Sequence, residues 1–172
     1  MVFNLLADES MSRNVEDVDL QLCVGEPFSY DDELFFNNLC FNREKLSWCV
    51  LNPPNGAISW ERLKCLCLSC VTLDEDMIEN ILSESPCLES LELNECHGCR
   101  QIDIISKSVK ELVFSAYNSY HDIYTYDEAY IDRVKINAPY ISSLTIGVLV
   151  LQELVLLDVS SLVKVDLNYS IN

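Results

Sequence analysis

The sequence predicts an α/β repeat solenoid, with a parallel sheet along its concave side and a β-rich C-terminal half. Three observations predict it. Leu88, Leu91 and Leu93 are spaced as x-x and x, with polar Glu89, Ser90, Glu92, Asn94 and Glu95 between and after them, and Cys96 closes the run. The same spacing stands 25 residues earlier at Leu63, Leu66 and Leu68, with a helix pattern between the two. Later copies at Val109, Ile141 and Leu162 each follow a short apolar return segment. Apolar-x-x-apolar-x-apolar-x-x-Asn/Cys at intervals of about 20–29 residues is the leucine-rich-repeat pattern, one strand and one covering segment per repeat.

Context carries more weight than spacing. With 49% apolar residues, the bare three-position match arises by chance in roughly one window in eight. Matches begin at Val15, Leu46, Leu63, Leu88, Val109, Ile131, Ile141, Leu151 and Leu162. At Val15, Val18 and Leu20 the run ends on Cys23, where such repeats place Asn or Cys at the turn out of the strand. Gly25 to Arg43 then stretches the first interval to 31 residues, from Val15 to Leu46, with Leu34, Phe35 and Leu39 as a short covering helix. After Leu63, Leu66 and Leu68, Cys70 comes one residue early. Thr72 and Glu75 read as a capping box, and Asp74, Glu75 and Asp76 suit the positive end of a helix over 74–85. Met77, Ile78, Ile81 and Leu82 give that helix one apolar stripe, and Pro86 ends it.

Beyond Cys96 the return segments change character. Ile102-Asp-Ile104 precedes the Val109 repeat, Val134-Lys-Ile136 precedes Ile141, and Leu154-Val-Leu156 precedes Leu162. Strands or loops replace the helix there. Tyr117 to Tyr130 has neither helical nor strand period and reads as a loop, rich in tyrosine. Residues 1–13 form a leader or incomplete N-terminal cap, and 14–172 form the solenoid.

Composition narrows the function. The 28 acidic against 11 basic residues give a net charge of −17, a field that repels phosphate backbones and anionic membranes. Nucleic acid and membrane are therefore not the expected partners; a protein target with a basic face is. Nine cysteines, without a basic, apolar leader at the start, fit free thiols in a reducing compartment, the cytoplasm or nucleus. Cys67-x-x-Cys70 and Cys96-x-x-Cys99, with His97 adjacent, have zinc-like spacing. The repeat itself explains that spacing, and no cofactor is expected. His97 or His121 with a thiol lacks any local catalytic signature, and the four glycines form no phosphate loop, so no enzyme is expected.

If the chain binds a protein, the outward strand positions carry the site: Ser90 and Glu92, Glu111 and Val113, Ser143 and Thr145, and, continuing the rows, Glu153 and Val155, Lys164 and Asp166. Tyr120, Tyr124 and Tyr126 add large contact area at low entropic cost.

The stretch ISWERLKCLCLSCVTLDEDMIENILSESPCLESLELNECHGCRQIDI at 58–104 resembles the leucine-rich-repeat region of plant F-box proteins, as do SVKELVFSAY and VKINAPYISSLTI further on. The likeness covers most of 14–172. It implies a substrate-recognition module of an SCF-type ubiquitin ligase, in which an F-box binds the adaptor. Residues 1–57 show no early Leu-Pro and no spaced leucine and tryptophan positions of an F-box. An SCF adaptor is thus a partner only if an F-box lies elsewhere, and the chain reads as a fragment, a truncated product or a separately encoded module. The alternative is a stand-alone repeat protein that binds, or competes for, a target without ligase linkage.

Overall fold

The computed structural model describes residues 16–21, 28–31, 33–116, 133–147 and 153–168. In chain order the elements are β1 (Asp17–Gln21), β2 (Phe28–Tyr30), α1 (Glu33–Phe36), β3 (Arg43–Ser47), β4 (Cys49–Leu51), β5 (Cys65–Ser69), α2 (Glu75–Ser83), β6 (Ser90–Cys96), β7 (Gln101–Asp103), β8 (Glu111–Ala116), β9 (Arg133–Asn137), β10 (Ser143–Ile146), β11 (Glu153–Asp158) and β12 (Lys164–Leu167). A 3-10 turn spans Pro54–Gly56.

One long parallel sheet runs β1-β3-β5-β6-β8-β10-β12, so every second coil element returns to it. Its pairing is in register apart from one shift between Asn94 and Cys96 where β6 meets β8. Leu20, Leu46, Leu68, Leu93, Phe114, Ile146 and Leu167 form one row, and Val18, Glu44, Leu66, Leu91, Leu112, Leu144 and Val165 form the next. A repeated hydrogen-bond device starts each strand. The amides of Cys65 and Lys64 share the carbonyl of Asn42, those of Glu89 and Ser90 share that of Lys64, and those of Lys110 and Glu111 share that of Glu89. Ser142 and Ser143 share Lys110, and Val163 and Lys164 share Ser142. Each coil is thereby locked to its predecessor at the same place, which fixes the register.

The return side follows the expected change of style. α2 covers the coil between β5 and β6, whereas β7, β9 and β11 form a three-stranded parallel sheet behind β6 to β12. The matches at Ile131 and Leu151 are therefore return-strand features: Val134 and Ile136 lie on β9, Leu154 and Leu156 on β11. Ile131 and Leu151 themselves lie outside the described residues. No helix among the described residues is long and apolar enough to cross a membrane.

Three local readings are corrected. Asp74, not Thr72, caps α2: its Oδ1 accepts from the Met77 amide at 2.7 Å. Thr72 is instead occupied as a bridge between Val50 and His97, in a minor parallel row beside the strand ends. Glu75 turns away from any capping box and accepts from the Arg100 amide at 3.1 Å, and backbone amides hold its carboxyl below the usual range. Leu39 is exposed; Phe35 and Phe36 cover the core in its place. Phe36 stacks on Trp60, and Phe35 meets Trp60 edge-on. The Trp60 indole N–H donates to the Phe35 carbonyl at 3.1 Å, so the fully buried ring is also polar-satisfied.

The third correction concerns the second repeat. It begins at Phe41, not Leu46, and reads Phe41-x-x-Glu44-x-Leu46-x-x-Cys49. Val18 pairs with Glu44, an interval of 26 residues, so no stretched repeat exists. A carboxylate stands where every other coil has an apolar side chain, which hid the match. Glu44 is 0% exposed, neither carboxyl oxygen has a hydrogen-bond partner, and burial pushes its pKa well above the usual range.

Folding therefore favours the protonated form of Glu44. Because its folded pKa lies above the unfolded one, its contribution is intact below the unfolded pKa and is lost as pH rises through the folded pKa. Glu44→Leu should raise unfolding stability by about 1–3 kcal/mol at neutral pH, the cost of an unpaired buried polar group. It should also flatten the loss of stability between acid and neutral pH. Urea unfolding across pH checks both; a variant no more stable than the parent contradicts the assignment.

Candidate functional site

Strand alternation turns the leucines inward and leaves the intervening side chains on the open face of the long sheet. Two in-register rows result. Asp17, Arg43, Cys65, Ser90, Glu111, Ser143 and Lys164 form the first; Asp19, Lys45, Cys67, Glu92, Val113, Thr145 and Asp166 form the second. The structure thus brings Ser90, Glu92, Glu111, Val113, Ser143 and Thr145 together on three neighbouring strands, and Lys164 and Asp166 continue them. Glu153 and Val155 do not join this face, because β11 belongs to the return sheet. Tyr120, Tyr124 and Tyr126 lie outside the described residues, as does His121.

Charge is graded along the face. Asp19 and Lys45 pair at 3.9 Å near one end, and Lys164 and Asp166 pair at 2.6 Å at the other. In the centre the ladder neighbours of Glu111 are Ser90 and Ser143, and those of Glu92 are Cys67 and Val113. The middle of the face is therefore acidic with uncharged flanks.

A third row, not singled out from the sequence, is small and polar: Ser47, Ser69, Asn94 and Ser115. The Ser115 hydroxyl donates to Asn94 Oδ1 at 3.2 Å, and Asn94 Nδ2 donates to Cys67 Sγ at 3.7 Å. Gly147 continues the line, where an added Cβ would sit 2.6 Å from the Ser115 Cβ. The period that predicts the leucines also predicts this row, at the position after the second strand leucine. Immediately beyond it, Trp48, Cys70 and Glu95 occupy equivalent left-handed positions with φ of 57°, 54° and 53°. Trp48 and Cys70 directly follow β3 and β5, whereas Glu95 sits within β6 at its register shift against β8, and the Trp48 and Cys70 amides donate to Ser69 and Asn94 carbonyls of the next coil.

The cysteines divide by place in the repeat. Cys96 closes its coil by donating from Sγ to the Leu68 carbonyl of the previous coil at 3.4 Å, and Cys99 does the same to Leu73 at 3.2 Å. Cys49 is buried at the position equivalent to Cys96, and Val71, not Cys70, fills it in the coil between. Cys70 instead approaches Glu95 at 3.7 Å. Burial pushes the thiols of Cys49, Cys96 and Cys99 up to about 12. Among the described residues no three His, Cys, Asp or Glu side chains are placed to hold a metal ion.

Comparison with known proteins gives the same repeat. A family model described as "FBD-associated F-box protein At5g56370, LRR repeats" matches residues 7–138. Putative F-box/LRR-repeat protein At5g02930 of Arabidopsis thaliana is 35% identical over 101 residues, covering 59% of this chain and 21% of its own length. F-box/LRR-repeat protein 25 of the same plant is 31% identical over 101 residues, 59% of this chain and 38% of the relative. F-box protein At5g03100, also from Arabidopsis thaliana, is 33% identical over 102 residues, 58% of this chain and 32% of the relative. The chain thus aligns with well under half the length of each of these relatives. No solved structure matches.

The thiol environments set an order of reactivity, since the thiolate is the reactive form. Among the described cysteines, iodoacetamide added to the native protein at mildly alkaline pH should label exposed Cys87 first and Cys49, Cys96 and Cys99 last. Peptide mapping of a time course reads this order; early labelling of Cys96 contradicts its carbonyl contact.

Proposed function

The chain belongs to the leucine-rich-repeat family of FBD-associated F-box proteins, and on that premise we propose that it is the target-recognition module of an SCF-type F-box receptor. The observation that carries the reading is the strand face. Its outward rows run in paired register from β1 to β12. A surface of this kind positions a partner and needs no reacting group. The mechanism is holding a target for ubiquitin transfer by other subunits, with no catalytic residue in this chain.

The target is a protein that presents basic side chains to Glu92 and Glu111, with Ser90, Ser143 and Thr145 as hydrogen-bonding neighbours and Val113 as the apolar contact. The chain's net charge of −17 supports the same sign. Tyr120, Tyr124 and Tyr126 supply a second contact with the target. The module works in the cytoplasm or nucleus, where its thiols stay reduced. Residues 14–172 act as one solenoid. The SCF adaptor joins through an F-box outside the repeats; without one, the chain acts as a binder or competitor for the same target.

Co-purification from plant cells separates these outcomes. Adaptor and cullin recovered with the tagged chain support the ligase link, and their absence with retained target supports the competitor reading. For the captured target, the Glu92→Lys, Glu111→Lys pair should weaken binding by about tenfold or more, with a shallower salt dependence. The Tyr120→Ala, Tyr124→Ala, Tyr126→Ala chain should weaken it at all salt concentrations. Capture unchanged by the charge reversal removes the strand face from the site, and unchanged capture by the tyrosine variant removes the loop.

A further inference from the structure

The open face of the long sheet carries a second pole beside its acidic centre. On the neighbouring strands β3, β5, β6 and β8, the first outward row reads Arg43, Cys65, Ser90 and Glu111, in register. Its ends carry opposite charges, and its middle is small and uncharged. Arg43 and Glu111 are exposed, whereas Cys65 and Ser90 are half-buried. The second row repeats the order as Lys45, Cys67 and Glu92. At the strand starts, exposed Lys64 adds to the cationic end and exposed Glu89 to the anionic one; Lys110, exposed beside Glu111, is the exception.

The two poles do not neutralise each other. Neighbouring strands lie about 4.8 Å apart, so three intervals separate Arg43 from Glu111 by about 14 Å, too far for an ion pair. Among the described residues Arg43, Glu92 and Glu111 make no ion pair, and Lys45 is held only loosely by Asp19, at 3.9 Å. Cys67, between Lys45 and Glu92, stays a neutral thiol, because burial and the Glu92 carboxylate push its pKa up.

We propose that this row binds an extended segment of the protein target, laid across the strands, with an acidic residue over Arg43 and a basic residue about four positions away over Glu111.

The inference rests on the strand-face reading of the target site and adds to it a demand for a carboxylate. The spacing follows from geometry. An extended chain advances about 3.3 Å per residue, so about four residues cover the distance from Arg43 to Glu111. In an extended chain only residues an even number apart point the same way, and this separation turns both charges toward the sheet. The residue midway comes over Cys65 and Ser90, where small side chains leave room and a third charge meets no partner. Lys45 and Glu92 support the two ends from the second row. Opposite charges at the ends also set the direction of the segment, since a segment laid the other way meets like charges at both.

Selection of random-sequence peptides displayed on phage, against the full chain with a thiol reductant present, tests this. Enriched peptides should carry Asp or Glu about four positions from Lys or Arg. In fluorescence anisotropy with one such labelled peptide, Arg43→Glu should weaken binding about tenfold, and so should Glu111→Lys, through like-charge contact. The Arg43→Glu, Glu111→Lys chain should instead bind the peptide whose two charges have been exchanged, and this recovery separates lost recognition from lost folding. Enriched peptides that carry only basic residues and ignore Arg43→Glu overturn the two-pole inference and leave the acidic strand face standing. Another charge spacing among the enriched peptides overturns it in the same way. Binding indifferent to Arg43→Glu and Glu111→Lys alike, or no enrichment at all, overturns the strand-face reading with it.

Discussion

Everything in this molecule depends on the in-register ladder of the long sheet. Neither a five-residue strand nor a nine-residue helix can bury its apolar stripe alone. Each coil does so only against the next, and each buried leucine contributes about 1.5–3 kcal/mol by leaving water. Two amides on one carbonyl at every strand start repeat this lock from β3 to β12. The outward rows inherit the register of the inward ones, so the geometry of the candidate binding face is a by-product of the core.

The ladder also shows what a sequence reveals and what it conceals. The repeat spacing, the helix after β5 and the strand-like returns in the C-terminal half were legible because period and composition agreed there. Leu88 to Cys96 was plainest, with every outward position polar. The second repeat was not legible, because Glu44 breaks the apolar code at a position that only the neighbours Val18 and Leu66 define as core. Pattern matching then slid five residues onward, to Leu46. The cap of α2 was misassigned for a related reason: Thr72 and Asp74 are equally good cap residues locally, and the bridges to Val50 and His97 decide between them. Leu39 against Phe36 is likewise a choice made by Trp60, which no local window contains.

The candidate site was legible in its membership and less so in its character. Alternation alone places Ser90, Glu92, Glu111, Val113, Ser143 and Thr145 on one face. Glu153 and Val155 look equivalent in the chain, but their strand returns on the far side. Ser69, Asn94 and Ser115 follow the period of the leucines, and Ser47 joins their row only when coils are aligned through Phe41. The paired CxxC units likewise dissolve into different tasks: two thiols close coils on backbone carbonyls, and the others lie toward the open face or its edge.

Native-state amide hydrogen exchange, resolved residue by residue, tests the ladder most directly. Protection at the strand-start amides of Cys65, Ser90 and Glu111 should be the highest in the chain and nearly equal, because each opens only with its neighbouring coils. It should fall toward β1 and β12. Amides of β5, β6 and β8 that exchange independently, or as fast as those at the ends, would show that the coils are not held as one register-locked stack.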